Sequence, residues 1–327
     1  MKRVFKLVAI TLVLAWFATD GEAQQAGKVF RIGYLSNSTV IGPLGEVFKK
    51  RLQDLGYADG RNLTIEWAFA KGDRNRVPGL VAELVNLKVD CIVAGGVALT
   101  RAAKQATGTI PIIMANADDD PVQQGLVASL ARPGGNVTGF INIGSDLAGK
   151  RLELLKEIVP KATRVAILSS GAEGAVGHVR ESQAVAPALS LQVQVLEVPN
   201  PDAAKIERAF KSAVTERVNA LVVVTPGGIA NHTVQIASLA AKTRLPAMYT
   251  VAEAIRDGGL VSYGDDALDR LGRVAEYVDR ILKGTKPADL PVQRPVKFEL
   301  IVNLNAAKQI GLTIPPNVLA RADRVVK

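Results

Sequence analysis

The stretch VFRIGYLSNSTVIGPLGEVFKKRLQDLG, residues 29–56, contains one complete structural unit of this chain. Its first part, Val29 to Leu35, is a short apolar run typical of a buried β-strand. Small polar residues follow at 36–39, and the next apolar residues recur at helical spacing until Gly56. The stretch therefore predicts a strand followed by a helix. The apolar helical positions are Leu44, Val47, Phe48, Leu52 and Leu55.

The same alternation of apolar runs, small polar turns and amphipathic segments continues along most of the chain, which predicts an α/β fold with parallel sheets. A first series predicts strands at 62–67, 89–94, 110–115 and 137–142, and helices near 76–88, 98–106 and 122–130. A second series begins after Ser145 and predicts strands at 164–169, 191–198, 219–224 and 246–250. Helices are expected between them, near 173–189, 202–215 and 231–242.

Two series of this length predict two doubly wound, Rossmann-like lobes. The last segment, from Gly258 onward, is too short for a domain of its own, so we expect it to cross between the lobes and complete both. The first lobe is assigned residues 28–143 plus about 258–290, and the second residues 144–257 plus about 291–327.

The first 23 residues have the pattern of a cleavable secretory signal peptide. Three basic residues lead into an apolar run, Leu7 to Phe17, that is too short to span a bilayer. The alternative is a retained membrane anchor. The chain's one cysteine, Cys91, is far from the expected cleavage point, so neither a lipid anchor there nor a disulfide within one chain is expected.

Composition predicts a globular protein, with 48% hydrophobic and 22% charged residues. The formal net charge is +9, which raises nucleic-acid binding as an alternative. The basic residues are scattered singly among acidic ones, however, and phosphate binding needs concentrated positive charge. We therefore expect a solvated basic surface and no nucleic-acid partner.

Ligands of open parallel sheets bind beyond the carboxyl ends of the strands, where backbone N–H groups and helix N-termini point outward. The turns at these positions supply the candidate binding residues. In the first lobe they are Ser36, Asn37, Ser38, Gly95, Gly96, Val97 and Asp119; in the second they are Ser169, Ser170, Pro226 and Tyr249.

Two of these candidates have a structural alternative. A carboxylate of Asp118-Asp119-Asp120 could pair with a ligand ammonium group or contribute to cation binding, but one could equally cap a helix starting near Pro121. Tyr249 could place its ring and hydroxyl against a ligand, or pack in the core.

The turns lack the composition of an enzyme active site. Gly95-Gly96-Val97 matches neither a dinucleotide-binding nor a phosphate-binding loop. Two histidines, His178 and His232, and a cysteine in an apolar strand offer little material for a metal site or a nucleophile. We expect no enzymatic activity, no metal and no cofactor.

Seven stretches resemble the ABC-transporter substrate-binding proteins of the tryptophan/tyrosine type, and the similarity covers essentially the whole chain after residue 23. They are RIGYLS (31–36), LGYADGRNLTIEW (55–67), DPVQQGLVASLARPGGNVTGF (120–140), LAGKRLELLKEIVP (147–160), GGLVSYGDD (258–266), YVDRILKGTKPADLPVQRPVKFELIVNLNAAKQIGLTIP (277–315) and LARADRV (319–325).

This resemblance implies a type I periplasmic-binding-protein fold, in which three crossovers hinge two lobes around a small molecule. It also implies a bacterial periplasmic receptor, expected to be monomeric. Such a receptor binds a polar or amino-acid-like ligand, which is aromatic in some relatives, and delivers it to an ABC permease with a cytoplasmic ATPase. The alternative is a sensory subunit that presents its ligand-bound form to a membrane receptor or kinase.

Two departures from the family pattern bear on the ligand. Thr225-Pro226-Gly227-Gly228 stands where many relatives carry Asp-Pro and aromatic residues, and Ser169-Ser170-Gly171 where they often carry Asn-Pro. Both changes remove side chains from the expected cleft. They imply a wider pocket or a less aromatic ligand.

Overall fold

A computed structural model describes residues 28–117, 120–226 and 228–327. The predicted signal peptide, 1–23, lies outside this range. Two separate sheets are formed, of five and seven strands, and each has a helix-covered core on both faces. No helix in the described part of the chain is both long and apolar enough to cross a bilayer.

The first sheet is entirely parallel, in the order β2-β1-β3-β4-β5. Its helices connect successive strands, as the repeated βα pattern predicts. The strands are β1 (Phe30–Ser36), β2 (Leu63–Phe69), β3 (Cys91–Ala94), β4 (Ile112–Ala117) and β5 (Val137–Ile141); the helices are α1 (Pro43–Asp54), α2 (Val77–Asn86) and α3 (Val97–Ala106).

The second sheet has the order β12-β11-β10-β9-β8-β6-β7 and is parallel except where β10 meets β11. The strands are β6 (Arg164–Ser169), β7 (Gln192–Glu197), β8 (Ala220–Val223), β9 (Ala247–Tyr249), β10 (Val261–Asp265), β11 (Phe298–Asn303) and β12 (Arg324–Val326). The helices are α4 (Ala148–Ile158), α5 (Glu173–Val185), α6 (Ala203–Thr215), α7 (Thr233–Thr243) and α8 (Glu253–Arg256), followed by α9 (Ala267–Leu282), α10 (Leu304–Gln309) and α11 (Pro316–Leu319).

The α/β class and two mostly parallel sheets are confirmed, and one predicted helix is wrong. Residues 121–130 form turns instead of a helix near 122–130. Gly125 adopts a left-handed φ of 64°, and the Leu126 N–H donates back to Pro121 O at 2.8 Å. The apolar spacing of this segment reflects burial of Leu126 and Val127 under the sheet, which a turn achieves as well as a helix.

Three crossovers connect the lobes: after β5, between β10 and α9, and between Gln293 and β11. The predicted lobe boundary needs one correction, because β10 pairs with β9 and β11 of the second sheet, although 258–290 was assigned to the first lobe. α9 does pack on the first sheet, where Val274 and Val278 join Ile32 in one core cluster.

Arg151 of α4 fixes the hinge region, and its side chain is almost completely buried, at 2% exposure. Its Nη1 donates to Gly144 O of the first crossover at 2.6 Å, and its Nε donates to Tyr263 O of β10 at 2.7 Å. Burial lowers the pKa of Arg151 to about 9. The guanidinium thus connects the chain entering the second lobe with the strand that leaves it.

His178 of α5 packs against this arginine, with Nδ1 3.4 Å from Arg151 Nη1. Burial, assisted by the arginine charge, lowers the pKa of His178 to about 3. The folded state therefore keeps the ring neutral, whereas the unfolded chain protonates it below about pH 6.5. Between these two values the unfolded state binds more protons, so stability falls as the pH falls.

We expect His178 to lower the free energy of unfolding by about 2 kcal/mol between pH 7 and pH 5. His178→Asn keeps an acceptor at this position without the titration, so its unfolding free energy should decline less over the same range. Urea unfolding at pH 5, 6 and 7 measures the free energy of unfolding of both proteins. Parallel pH profiles for the two would show that His178 does not carry this dependence.

Candidate functional site

The carboxyl ends of the two sheets lie across a cleft from one another. Arg101 of α3 contacts Glu173 at the start of α5, and the loop after β2 approaches the loop before α7. A Cβ placed on Gly72 of the first lobe would lie 3.7 Å from Asn231 Nδ2 of the second. The lobes therefore touch at both of these places, which is a closed arrangement.

The turn after β1 uses its polar groups within the first lobe. Ser36 Oγ accepts from the Ser38 N–H at 3.1 Å, and Ser38 Oγ donates to Val40 O at 2.8 Å. Asn37 O accepts from the Gly72 N–H at 3.0 Å. These predicted binding residues lie at the cleft edge, and both hydroxyls also shape the turn that they occupy.

The turn after β3 brings backbone to the cleft. Gly96 has φ of 113°, a conformation that favours glycine, and immediately precedes α3 without a side-chain cap on the helix. A Cβ on Gly95 would make only ordinary contacts, the nearest to Leu35 O at 3.6 Å. The predicted residue Val97 buries its side chain in the core, so only its backbone N–H is available at the helix N-terminus.

Asn116, near the end of β4, is beside this turn. The carbonyl oxygen of Asn116 would lie 3.9 Å from a Cβ on Gly96. Its side-chain Oδ1 is buried and has no hydrogen-bond partner in the described part of the chain. Residue type did not single out Asn116, because an asparagine after a strand is common in any turn.

The acidic turn after β4 is only partly described. Asp119, the predicted ligand-facing carboxylate, and Asp118 lie outside the described residues. Asp120 Oδ1 accepts from the Val122 N–H at 2.8 Å. Asp120 therefore caps a turn. The helix that the structural alternative expected one of these residues to cap is absent from 121–130.

In the second lobe, hydroxyl groups join neighbouring loops. Ser169 Oγ accepts from the Gly171 N–H at 3.2 Å, and Ser170 Oγ donates to Pro226 O at 2.8 Å. Thr225 and Thr250 continue this line with an Oγ1 to Oγ1 distance of 2.9 Å. Ser169, Ser170 and Pro226 thus lie together at one edge, as predicted. The two threonines lie in turns that the sequence indicated, but they were not chosen as candidates, because threonine is frequent in turns and strands alike.

Tyr249 lies within the core of the second lobe and is fully buried. It is the last residue of β9, and strand alternation directs it to the core cluster of Phe210 and Ile236, opposite the cluster that contains Met248. Burial raises the pKa of its hydroxyl. Of the two predicted roles, core packing is the one that this placement supports.

Comparison with known proteins identifies relatives over most of the chain. The family described as ABC transporter substrate binding protein matches residues 45–326. A tyrosine-binding protein of Clostridioides difficile (strain R20291) is 30% identical over 295 residues, which cover 90% of this chain and 83% of that protein.

Solved structures extend the comparison. An ABC domain of Streptococcus pneumonia in complex with L-Trp gives a TM-score of 0.80 at 28% identity, covering 91% of this chain and 99% of that one. The ligand-free, open structure of a Clostridium difficile substrate binding protein with adhesive properties gives a TM-score of 0.65 at 25% identity. The match covers 91% of this chain and 99% of that one. The lower TM-score against the open structure agrees with the closed arrangement of the lobes described above.

Proposed function

Because the chain belongs to the ABC transporter substrate-binding protein family, we propose that it is the solute receptor of an ABC importer. It has the type I periplasmic-binding-protein fold. In this proposal the protein is exported, works as a monomer in the periplasm, binds a small amino-acid-like molecule between its lobes and delivers it to a membrane permease. Family membership and the pattern of residues 1–23 support export.

The observation that carries the ligand class is the uncapped N-terminus of α3 behind Gly95-Gly96. The N–H groups of the first turn of α3 and the helix dipole favour an anionic group here, such as a carboxylate. The Gly95 and Gly96 N–H groups donate within the first lobe, to Leu35 O and Ala94 O. Asn116 Oδ1, a buried acceptor beside the same turn, suits an ammonium N–H. An acceptor and an anion site beside the same turn fit the two charged groups of an α-amino acid.

Relatives support the same class of ligand. The C. difficile relative is a tyrosine-binding protein, and the S. pneumonia structure holds L-Trp. A ligand that contacts both lobes stabilises the closed state in proportion to its preference for that state. The closed protein is then the form presented to the permease.

Gly95→Phe is expected to weaken binding at least about tenfold while the protein stays folded. The glycine has space for a Cβ, and a phenyl ring there obstructs access to the backbone before α3. Isothermal titration with L-tyrosine and L-tryptophan measures the affinity, and a melting curve checks the fold.

Gly108→Phe is the matched control. Gly108 precedes β4, at the amino ends of the strands and away from the cleft, and a Cβ there would meet nothing within 4 Å. This variant should bind like the wild type. Equal affinity in Gly95→Phe and the wild type would place the ligand elsewhere, and no binding of either amino acid to the wild type would contradict the proposed ligand class.

A further inference from the structure

Arg101 and Glu173 form a two-point ion pair between the lobes. Arg101 Nη1 lies 3.0 Å from Glu173 Oε2, and Nη2 lies 2.9 Å from Oε1. This parallel geometry is the strongest form of an arginine–carboxylate contact, because both donors and both acceptors are aligned. The two residues are 72 positions apart in sequence and belong to helices of different lobes.

Both ends of this pair are held in place by their own lobes. Arg101 Nη2 also donates to Gln124 Oε1 of the first lobe. Glu173 is the first residue of α5, where the helix dipole favours a negative charge. A pair whose partners are positioned beforehand loses less side-chain entropy when it forms.

The surroundings of Glu173 favour its charged form in the closed protein. Hydrogen bonding to Arg101, with additional attraction from Arg74, lowers the pKa of this carboxyl. Arg74 also belongs to the first lobe, in a short helical turn after β2. The start of α5 therefore carries a negative charge that faces two cations of the opposite lobe. Opening the cleft separates these charges.

We propose that Arg101 and Glu173 form a closure latch, an ion pair that raises the population of the closed protein before any ligand binds. The pair makes its bonds only when the lobes meet, so its free energy contributes to the closed state alone. The latch acts on the open–closed equilibrium of the proposed receptor. Its existence does not depend on which ligand the cleft takes.

The test measures closure without ligand. Val40→Cys and Val234→Cys place dyes on the two rims of the cleft, at positions 62% and 65% exposed. Cys91, the one native cysteine, is fully buried and should not label. Single-molecule energy transfer between the dyes then reports the closed fraction of the ligand-free protein.

Arg101→Gln and Glu173→Gln should each lower the ratio of closed to open protein about threefold to fivefold. The double variant should lower it no further than either single variant, because one interaction is lost in all three. High salt should move the wild type toward the variants, since the screening length falls to about 3 Å at 1 M salt.

Arg51→Gln is the matched control. Arg51 and Glu276 form an ion pair of similar exposure, 42% and 45% against 34% and 40%, but both belong to helices packed on the first sheet. Losing it should leave the closed fraction unchanged. Unchanged energy transfer in the two latch variants, or single effects that add in the double variant, would overturn the latch.

Titration with L-tyrosine and L-tryptophan separates this proposal from the function proposed above. If either amino acid binds, the latch variants should bind it more weakly by the factor by which the closed fraction of the ligand-free protein falls. If neither binds the wild type, the proposed ligand class fails, while the ligand-free energy transfer still decides whether the latch exists.

Discussion

Gly139→Ala is expected to destabilise the first lobe by about 3–5 kcal/mol, combining backbone strain and overpacking. Gly139 of β5 has φ of 133°, which side chains rarely adopt. A Cβ there would lie 2.2 Å from Met114 O and 2.5 Å from Met114 N of β4. Because both obstructing atoms are backbone, the contact can be relieved only by separating two paired strands.

Urea unfolding followed by circular dichroism measures this loss. Gly135→Ala is the control, since Gly135 lies in the loop before β5 and a Cβ there would meet nothing within 4 Å. The free energy of unfolding of that variant should lie within about 0.5 kcal/mol of the wild-type value. A Gly139→Ala midpoint equal to that of the control would contradict the close approach of β4 and β5.

Arg151→Ala is expected to lower the free energy of unfolding by about 3–5 kcal/mol. Removing the guanidinium takes the Nη1 donor from Gly144 O, which keeps only the longer bond from the Leu147 N–H at 3.3 Å, and the Nε donor from Tyr263 O. It also opens a cavity beside His178. Arg151→Lys should recover only part of this loss, because a single ammonium cannot reproduce the planar fork that serves two carbonyl groups. Denaturant unfolding of the three proteins gives the order wild type, lysine variant, alanine variant.

Arg164→Ala tests whether burial of the arginine–carbonyl hydrogen bonds causes the loss of stability expected for Arg151→Ala. Arg164 belongs to the same lobe and also donates to a backbone carbonyl, that of Glu216 at 2.6 Å, but this contact is exposed to solvent. Water can satisfy the carbonyl group after the substitution, so a loss of at most about 1 kcal/mol is expected. Equal losses for Arg151→Ala and Arg164→Ala would rule out the proposed role of the buried hinge arginine.

Local pattern predicted most of the secondary structure. The run from Val29 to Leu35 predicted β1, which spans Phe30–Ser36, and the following helix ends before Gly56 as expected. Both predictions succeed because strand and helix periodicities are properties of neighbouring residues. The repeated units also predicted two parallel sheets. Where burial could be achieved by more than one conformation, as at 122–130, periodicity alone gave the wrong answer.

The candidate site was predicted less completely than the fold. The rule for parallel sheets located the turns at Ser36, Gly95 and Ser169 correctly at the ends of their strands. It could not distinguish the last residue of a strand, whose side chain still alternates into the core, from the first residue beyond it. Tyr249 shows this limit, since its position at a strand end placed it among the candidates and its orientation buries it.

The sequence by itself determined the α/β class, the repeating units and the strand ends at which the candidate binding residues lie. The order of the strands, the membership of β10 in the second sheet and the pairing of Arg101 with Glu173 depended on the folded chain. Arg151 and Tyr263, which meet at the hinge, are 112 residues apart. Contacts over such separations arise from how the lobes pack and cross, which no local spacing of residue types encodes.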